Sequence, residues 1–127
     1  MTTEKPLVLV VDDEIDARVF LFSLLDSEGY RVATCRDGLE ALKFVARHKP
    51  DLVISDVRMP DMEGLELLEK IRNIAPGTKV ILISAYWDCP MYLETLERGG
   101  EDLILKPYKN DDLLRTVERV MEGVGSK

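Results

Sequence analysis

Two adjacent aspartates, Asp12 and Asp13, follow the apolar run Leu7–Val11. A third, Asp56, follows Leu52–Ser55. Ser84 and Ala85 close the run Lys79–Ser84, and Lys106, with Pro107 behind it, follows Asp102–Leu105. Three carboxylates gathered in one place repel one another, and at least one has its pKa raised unless a cation intervenes. Oxygen ligands of this kind suit a hard divalent ion such as Mg2+, with Mn2+ as an alternative. The charges then balance, three aspartates against one divalent ion and Lys106. A carboxylate beside such an ion can act as a nucleophile toward phosphorus, giving an acyl phosphate. Phosphoryl transfer asks mainly for in-line positioning and neutral surroundings for the equatorial oxygens. Lys106 supplies a point charge, Ser84 a hydroxyl, and the small Ala85 leaves its backbone N–H open to an oxyanion.

These residues can act together only if the chain brings them together. The runs Leu7–Val11, Arg31–Cys35, Leu52–Ser55, Lys79–Ser84 and Asp102–Leu105 are short, mostly rich in Val, Ile and Leu, and not strictly alternating. That is the pattern of strands covered on both faces. Helical spacing fills the gaps. Ala17, Phe20, Leu21, Leu24 and Leu25 form one apolar face, ended by Gly29. Ala41, Leu42 and Val45 form a second near Asp37–Arg47, and Leu65, Leu68 and Ile71 a third near Gly64–Asn73. A fourth helix starts near Pro90, and a fifth spans about Asn110–Met121, with Leu113, Val117 and Val120 inward and Asn110 or Asp111 as cap. Strands alternating with helices predict an α/β fold: a doubly wound, flavodoxin-like parallel sheet of five strands, order 2-1-3-4-5, with five helices. In that order strands one, three, four and five are consecutive neighbours. Their carboxyl ends, and all the residues named above, then share one crevice.

The 127 residues, 46% hydrophobic and 32% charged, suffice for one domain with a real core. We expect residues 1–122 to form it and residues 123–127 to be a tail or the start of a linker. No apolar run approaches the ~20 residues of a membrane span, and none has the flanks of a secretory signal, so the expected location is cytoplasmic. A net charge of −7 argues against direct contact with nucleic acid. The two cysteines, Cys35 and Cys89, lie too far apart in this topology to form a disulfide. His48 reads as a solvated residue at a helix end.

The stretches Val10-Val11-Asp12-Asp13-Glu14, Asp37-Gly38-Leu39-Glu40-Ala41-Leu42, Asp51 through Pro60 with Gly64, Ile83-Ser84-Ala85 and Leu105-Lys106-Pro107-Tyr108 together resemble the receiver domain of two-component response regulators. The resemblance runs from about Pro6 to Met121. It implies that Asp56 is the phosphoacceptor, charged by a histidine kinase or a histidine phosphotransfer protein. It implies Mg2+ ligation by Asp13, Asp56 and the backbone carbonyl of Arg58, with Asp12 acting directly or through water. Ser84 and Lys106 take the roles of switch hydroxyl and phosphoryl-binding lysine. Such a domain catalyses its own phosphorylation and dephosphorylation without being a turnover enzyme. It then signals to a downstream effector protein or domain through the surface around strands four and five, with a phosphorylation-dependent homodimer as a further option. The family usually carries Tyr or Phe three residues before the lysine. Here that residue is Leu103, which has no ring to swing inward toward Ser84.

Three surface features bear on partners and lifetime. Tyr86, Trp87, Tyr92 and Tyr108 cluster after the fourth strand and around the fifth, as at an interface. Ile15, Val19 and Phe22 form a second apolar stripe on the first helix, where the family binds its phosphodonors. Arg58 and Tyr86, two residues beyond Asp56 and Ser84, are large enough to roof the site and slow hydrolysis. Competing readings are weaker. A flavin carrier on this fold needs a phosphate loop after the first strand, and Asp12 to Asp16 would repel phosphate. A Mg2+-dependent phosphohydrolase needs an Asp-x-Asp signature there, which is missing. The nearest rival is a receiver-like interaction module that is not phosphorylated.

Overall fold

Stretches rich in β-branched and leucine residues become the strands of a five-stranded parallel sheet. In the computed structural model, which describes residues 5–86 and 88–122, these are β1 (Leu7–Val11), β2 (Arg31–Cys35), β3 (Leu52–Asp56), β4 (Lys79–Ser84) and β5 (Asp102–Leu105). They alternate with α1 (Ile15–Ser27), α2 (Gly38–His48), α3 (Gly64–Ile74), α4 (Cys89–Glu97) and α5 (Asn110–Glu122). The sheet order is β2-β1-β3-β4-β5, as expected. The expected tail at 123–127 and Trp87 lie outside the described residues.

Side chains of a strand alternate between faces, so the sheet divides the interior in two. On one face Leu9, Val11, Val53, Val80, Leu82 and Leu103 meet Ala41 and Val45 of α2 and Leu67, Leu68 and Ile71 of α3. On the other, Val8, Val10, Leu52, Ile54, Ile81 and Ile83 meet Leu21 and Leu25 of α1 and Leu113, Val117, Val120 and Met121 of α5. The central strands β1, β3 and β4 are buried almost throughout, whereas β2 at its edge is exposed at Arg31 and Thr34. Leu103, in the place of the family's usual aromatic, is only 3% exposed and belongs to this core.

Helix boundaries follow local chemistry. Asp37 caps α2 by accepting from the Glu40 N–H at 2.8 Å, and Asp88 caps α4 by accepting from Met91 N–H at 2.8 Å. Pro90 sits in the first turn of α4, where its missing donor is harmless.

Three sequence expectations need correction. Phe20, assigned to the core stripe of α1, is 45% exposed; its ring lies 6.5 Å from that of Tyr108, beside the β5–α5 loop rather than under the sheet. Leu67, absent from the expected face of α3, is fully buried, because α3 is covered by α2 as well as by the sheet and so hides a wider arc. Asn110 and Asp111 lie inside the first turn of α5 rather than before it; the Leu113 N–H donates to the Lys109 carbonyl, which makes Lys109 the preceding cap position.

Candidate functional site

Register alone sets the candidate residues in a line. Val11 pairs with Ser55, Asp56 with Ile83, and Ser84 with Leu105. Asp12 and Asp13, Asp56, Ser84 with Ala85, and Lys106 therefore leave the sheet at its carboxyl edge side by side. One ligand oxygen from each of Asp12, Asp13 and Asp56 lies within 4.8 Å of the others. Asp12 is buried, Asp56 half-buried and Asp13 exposed, so the cluster opens to solvent on one side.

Lys106 reaches into the cluster. Its Nζ lies 3.5 Å from Oδ1 of Asp56 and 3.7 Å from Oδ2 of Asp12. Its backbone N–H donates to the Ser84 carbonyl at 2.8 Å, and the Lys106–Pro107 peptide is cis. Burial pushes the Asp56 carboxyl above its ordinary range; Lys106 pulls the other way, while the charges of Asp12 and Asp13 push it further up. A set of three carboxylate oxygens with one side open fits a hard divalent cation, and its excess negative charge asks for one. Ser84 is buried at the end of β4, where its Oγ accepts from the Tyr86 N–H at 3.0 Å. Ala85 is exposed beside it, and Arg58 is exposed on the loop after β3. The Arg58 guanidinium lies 5.8 Å from the centre of the Tyr86 ring, a cation–π distance. The loops after β3 and β4 are thus joined by this contact.

The loop after β3 is held tightly. Val57 N–H donates to the Ile83 carbonyl at 2.9 Å, and Gly64 N–H to the Val57 carbonyl at 2.8 Å. A Cβ on Gly64 would lie 2.7 Å from the Asp56 carbonyl oxygen and 2.9 Å from the Val57 Cα, so only glycine permits this approach.

Two supporting residues escaped the sequence reading. Nη1 of Arg18 donates to the Asp12 carbonyl at 2.8 Å. Asp61 accepts from the N–H groups of Gly38 and Leu39 at 3.2 and 3.0 Å, tying the loop after β3 to the start of α2. Neither pairing leaves a local signal, since the partners are six and more than twenty residues apart.

The surfaces divide differently from the expectation. Tyr86 is exposed, but Tyr92 and Tyr108 pack against the two core clusters, so these three aromatics do not form one open face. Ile15, Val19 and Phe22 of α1 are exposed as expected and, with Arg18 and Thr34, line a groove of about 290 Å3. On the other flank of α1 a wider cleft is lined by Phe20, Ala85, Lys106, Pro107 and Tyr108, and so shares Lys106 with the carboxylate cluster. Both cysteines are free, with Cys35 buried and its thiol pushed up to about 11, chiefly by burial. His48 is exposed at the end of α2, its ring 4.5 Å from that of Phe44.

The family model for the response regulator receiver domain matches residues 8–118. Sporulation initiation phosphotransferase F of Bacillus subtilis is 33% identical over 121 residues, 95% of this chain and 96% of that protein. The transcriptional regulatory protein ZraR of Klebsiella oxytoca is 37% identical over 121 residues, but the chain spans only 27% of its length. Among solved structures, a CheX–CheY complex with BeF3 and Mg2+ from Borrelia burgdorferi superposes with a TM-score of 0.89 at 30% identity, over 93% of this chain and 90% of that one.

Proposed function

The chain belongs to the response regulator receiver domains of two-component systems, and on that premise we propose that Asp56 accepts a phosphoryl group from a histidine kinase or a histidine phosphotransfer protein. One observation carries the reading: Asp56 stands in a cluster of three carboxylates with the Lys106 ammonium 3.5 Å from its Oδ1. Asp12, Asp13, Asp56 and the carbonyl of Arg58 would hold Mg2+, or Mn2+ in its place. That ion, when bound, offsets the negative charge that otherwise keeps a phosphoryl group away.

The protein's own groups do the rest. An Oδ of Asp56 forms the bond to phosphorus as the donor's phosphorus–nitrogen bond breaks. Lys106, already beside Asp56, follows the charge onto a phosphoryl oxygen. Ser84 Oγ and the Ala85 N–H receive the remaining oxygens at the end of β4. Arg58 and Tyr86 cover the acceptor and hinder water, so dephosphorylation is slow. The exposed stripe of Ile15, Val19 and Phe22, with the cleft on the far flank of α1, offers the donor its docking surface. The output passes through the face formed by β4, α4, β5 and α5 to an effector, with homodimerisation on phosphorylation as a second route. The cytoplasmic location and the domain limits 1–122 are part of the same reading.

Incubation with a small-molecule phosphodonor and Mg2+, followed by intact-mass measurement, should add one phosphoryl group to the wild type. It should add none to Asp56→Asn and none when a chelator is present. A wild type that never gains the adduct would overturn the reading and favour an interaction module that is not phosphorylated.

A further inference from the structure

Asp12 is held by hydrogen bonds from three directions. Its N–H donates to the Cys35 carbonyl at the end of β2 (3.2 Å), and its Oδ1 accepts from the Glu14 N–H (2.9 Å). Its carbonyl accepts from Nη1 of Arg18 (2.8 Å), the fourth residue of α1, whose own N–H closes the first helical turn onto the Glu14 carbonyl (3.1 Å). The Arg18 side chain thus folds back over the start of its own helix. Asp12 is 3% exposed, and the hydrogen bond keeps its carbonyl from being left buried without a donor.

That carbonyl belongs to the peptide joining Asp12 to Asp13. A peptide is planar, so holding its oxygen restrains the plane and with it the position of the Asp13 Cα, from which the Asp13 carboxylate is set. The Asp12 and Asp13 carboxylates are the two that must face Asp56. Resting on the reading of this cluster as a Mg2+ site, we infer that Arg18 is a positioning residue for the Asp12–Asp13 turn. It touches neither the ion nor the phosphoryl group. It acts through the Asp12 carbonyl, as the outer partner of a ligand-bearing segment.

Charge and geometry predict opposite signs, which separates the two roles. A guanidinium near a cation site repels the cation, so by charge alone its removal tightens Mg2+ binding. By geometry its removal frees the turn and weakens binding. Calorimetric titration of Mg2+ alone into the wild type, Arg18→Met, Arg18→Gln and Arg18→Lys reads the sign directly. Arg18→Met and Arg18→Gln should bind about tenfold more weakly. Arg18→Lys should recover part of the loss, because an ammonium offers the same carbonyl one donor in place of the fork. Melting temperatures without metal, measured alongside, identify a residue that merely props α1, since such a residue lowers the melting temperature but leaves the affinity of the folded protein intact. Unchanged or tighter Mg2+ binding in Arg18→Met overturns the inference, and the same result in Arg18→Gln does so should the methionine variant not fold. A wild type that binds no Mg2+ overturns the proposed function instead, so the two failures are distinguishable.

Discussion

At Asp56 burial and the neighbouring cation pull one carboxyl in opposite directions. Its carboxyl is raised, first by loss of water and then by Asp12 and Asp13, with Lys106 opposing. The folded protein therefore holds the Asp56 proton more tightly than the unfolded chain does. Stability from this group is fully present below the ordinary carboxylate value of 3.8 and is lost as pH rises through the raised one. In metal-free protein, Asp56→Asn should thus melt higher than wild type at neutral pH, with the difference shrinking as the pH falls toward the ordinary value. Thermal melts across that range in the presence of a chelator test it, and a difference that grows on acidification would contradict it. Arg58 and Tyr86 bear on lifetime instead. If their contact shields the acceptor, the Arg58→Ala, Tyr86→Ala double variant should lose its phosphoryl group severalfold faster than wild type, followed by intact mass over time. Slower loss in the double variant would count against the shield. The clustering of Asp56, Lys106 and Ser84 was legible in the sequence because each stands at or just past the end of a strand whose apolar run announces it. Arg18 was not, because its partner is a backbone carbonyl, and a carbonyl has no residue type.

Elements were legible where one surface decided their pattern. The strands carry hydrophobic runs because both faces are covered, and their limits were read almost to the residue. Helices that meet a second neighbour were read less well. Phe20 follows the period of the α1 core stripe, but the helix rolls it toward Tyr108, and Leu67 is buried on a helix that packs against both α2 and the sheet. Periodicity reports the number of apolar faces and not what covers them. The start of α2 shows a similar limit. Two of its free N–H groups are met by Asp61 from the loop after β3, and a third by Asp37. Asp61→Ala should cost about 1 kcal/mol in urea unfolding, the usual worth of a cap, while the phosphoryl adduct on Asp56 still forms. A loss within error of zero would mean that water serves these donors as well.

At the scale of the whole molecule, one sheet separates two cores and carries the site on its rim. The order β2-β1-β3-β4-β5 was legible because the rules for parallel crossovers leave few alternatives. What the sequence left open at this scale was Leu103. It stands where the family usually has an aromatic and lacks the ring to swing inward, and the structure makes it a core residue against Leu82. Leu103→Ala should therefore cost roughly 2–5 kcal/mol, whereas Leu105→Ala, at 47% exposure, should cost within about 0.5 kcal/mol. Equal losses in urea denaturation would remove Leu103 from the core. Leu103 thus anchors β5 from inside, while Ser84 and Lys106 stand where the loops after β4 and β5 begin. The approach of α3 to the end of β3 carries a different lesson. The spacing between β3 and the next helix is set by a carbon atom that is not there, with backbone on the other side that has nowhere to retreat. One of the tightest restrictions on how this chain can drift by mutation thus falls on Gly64, a residue that brings no bulk, no charge and no reactivity of its own.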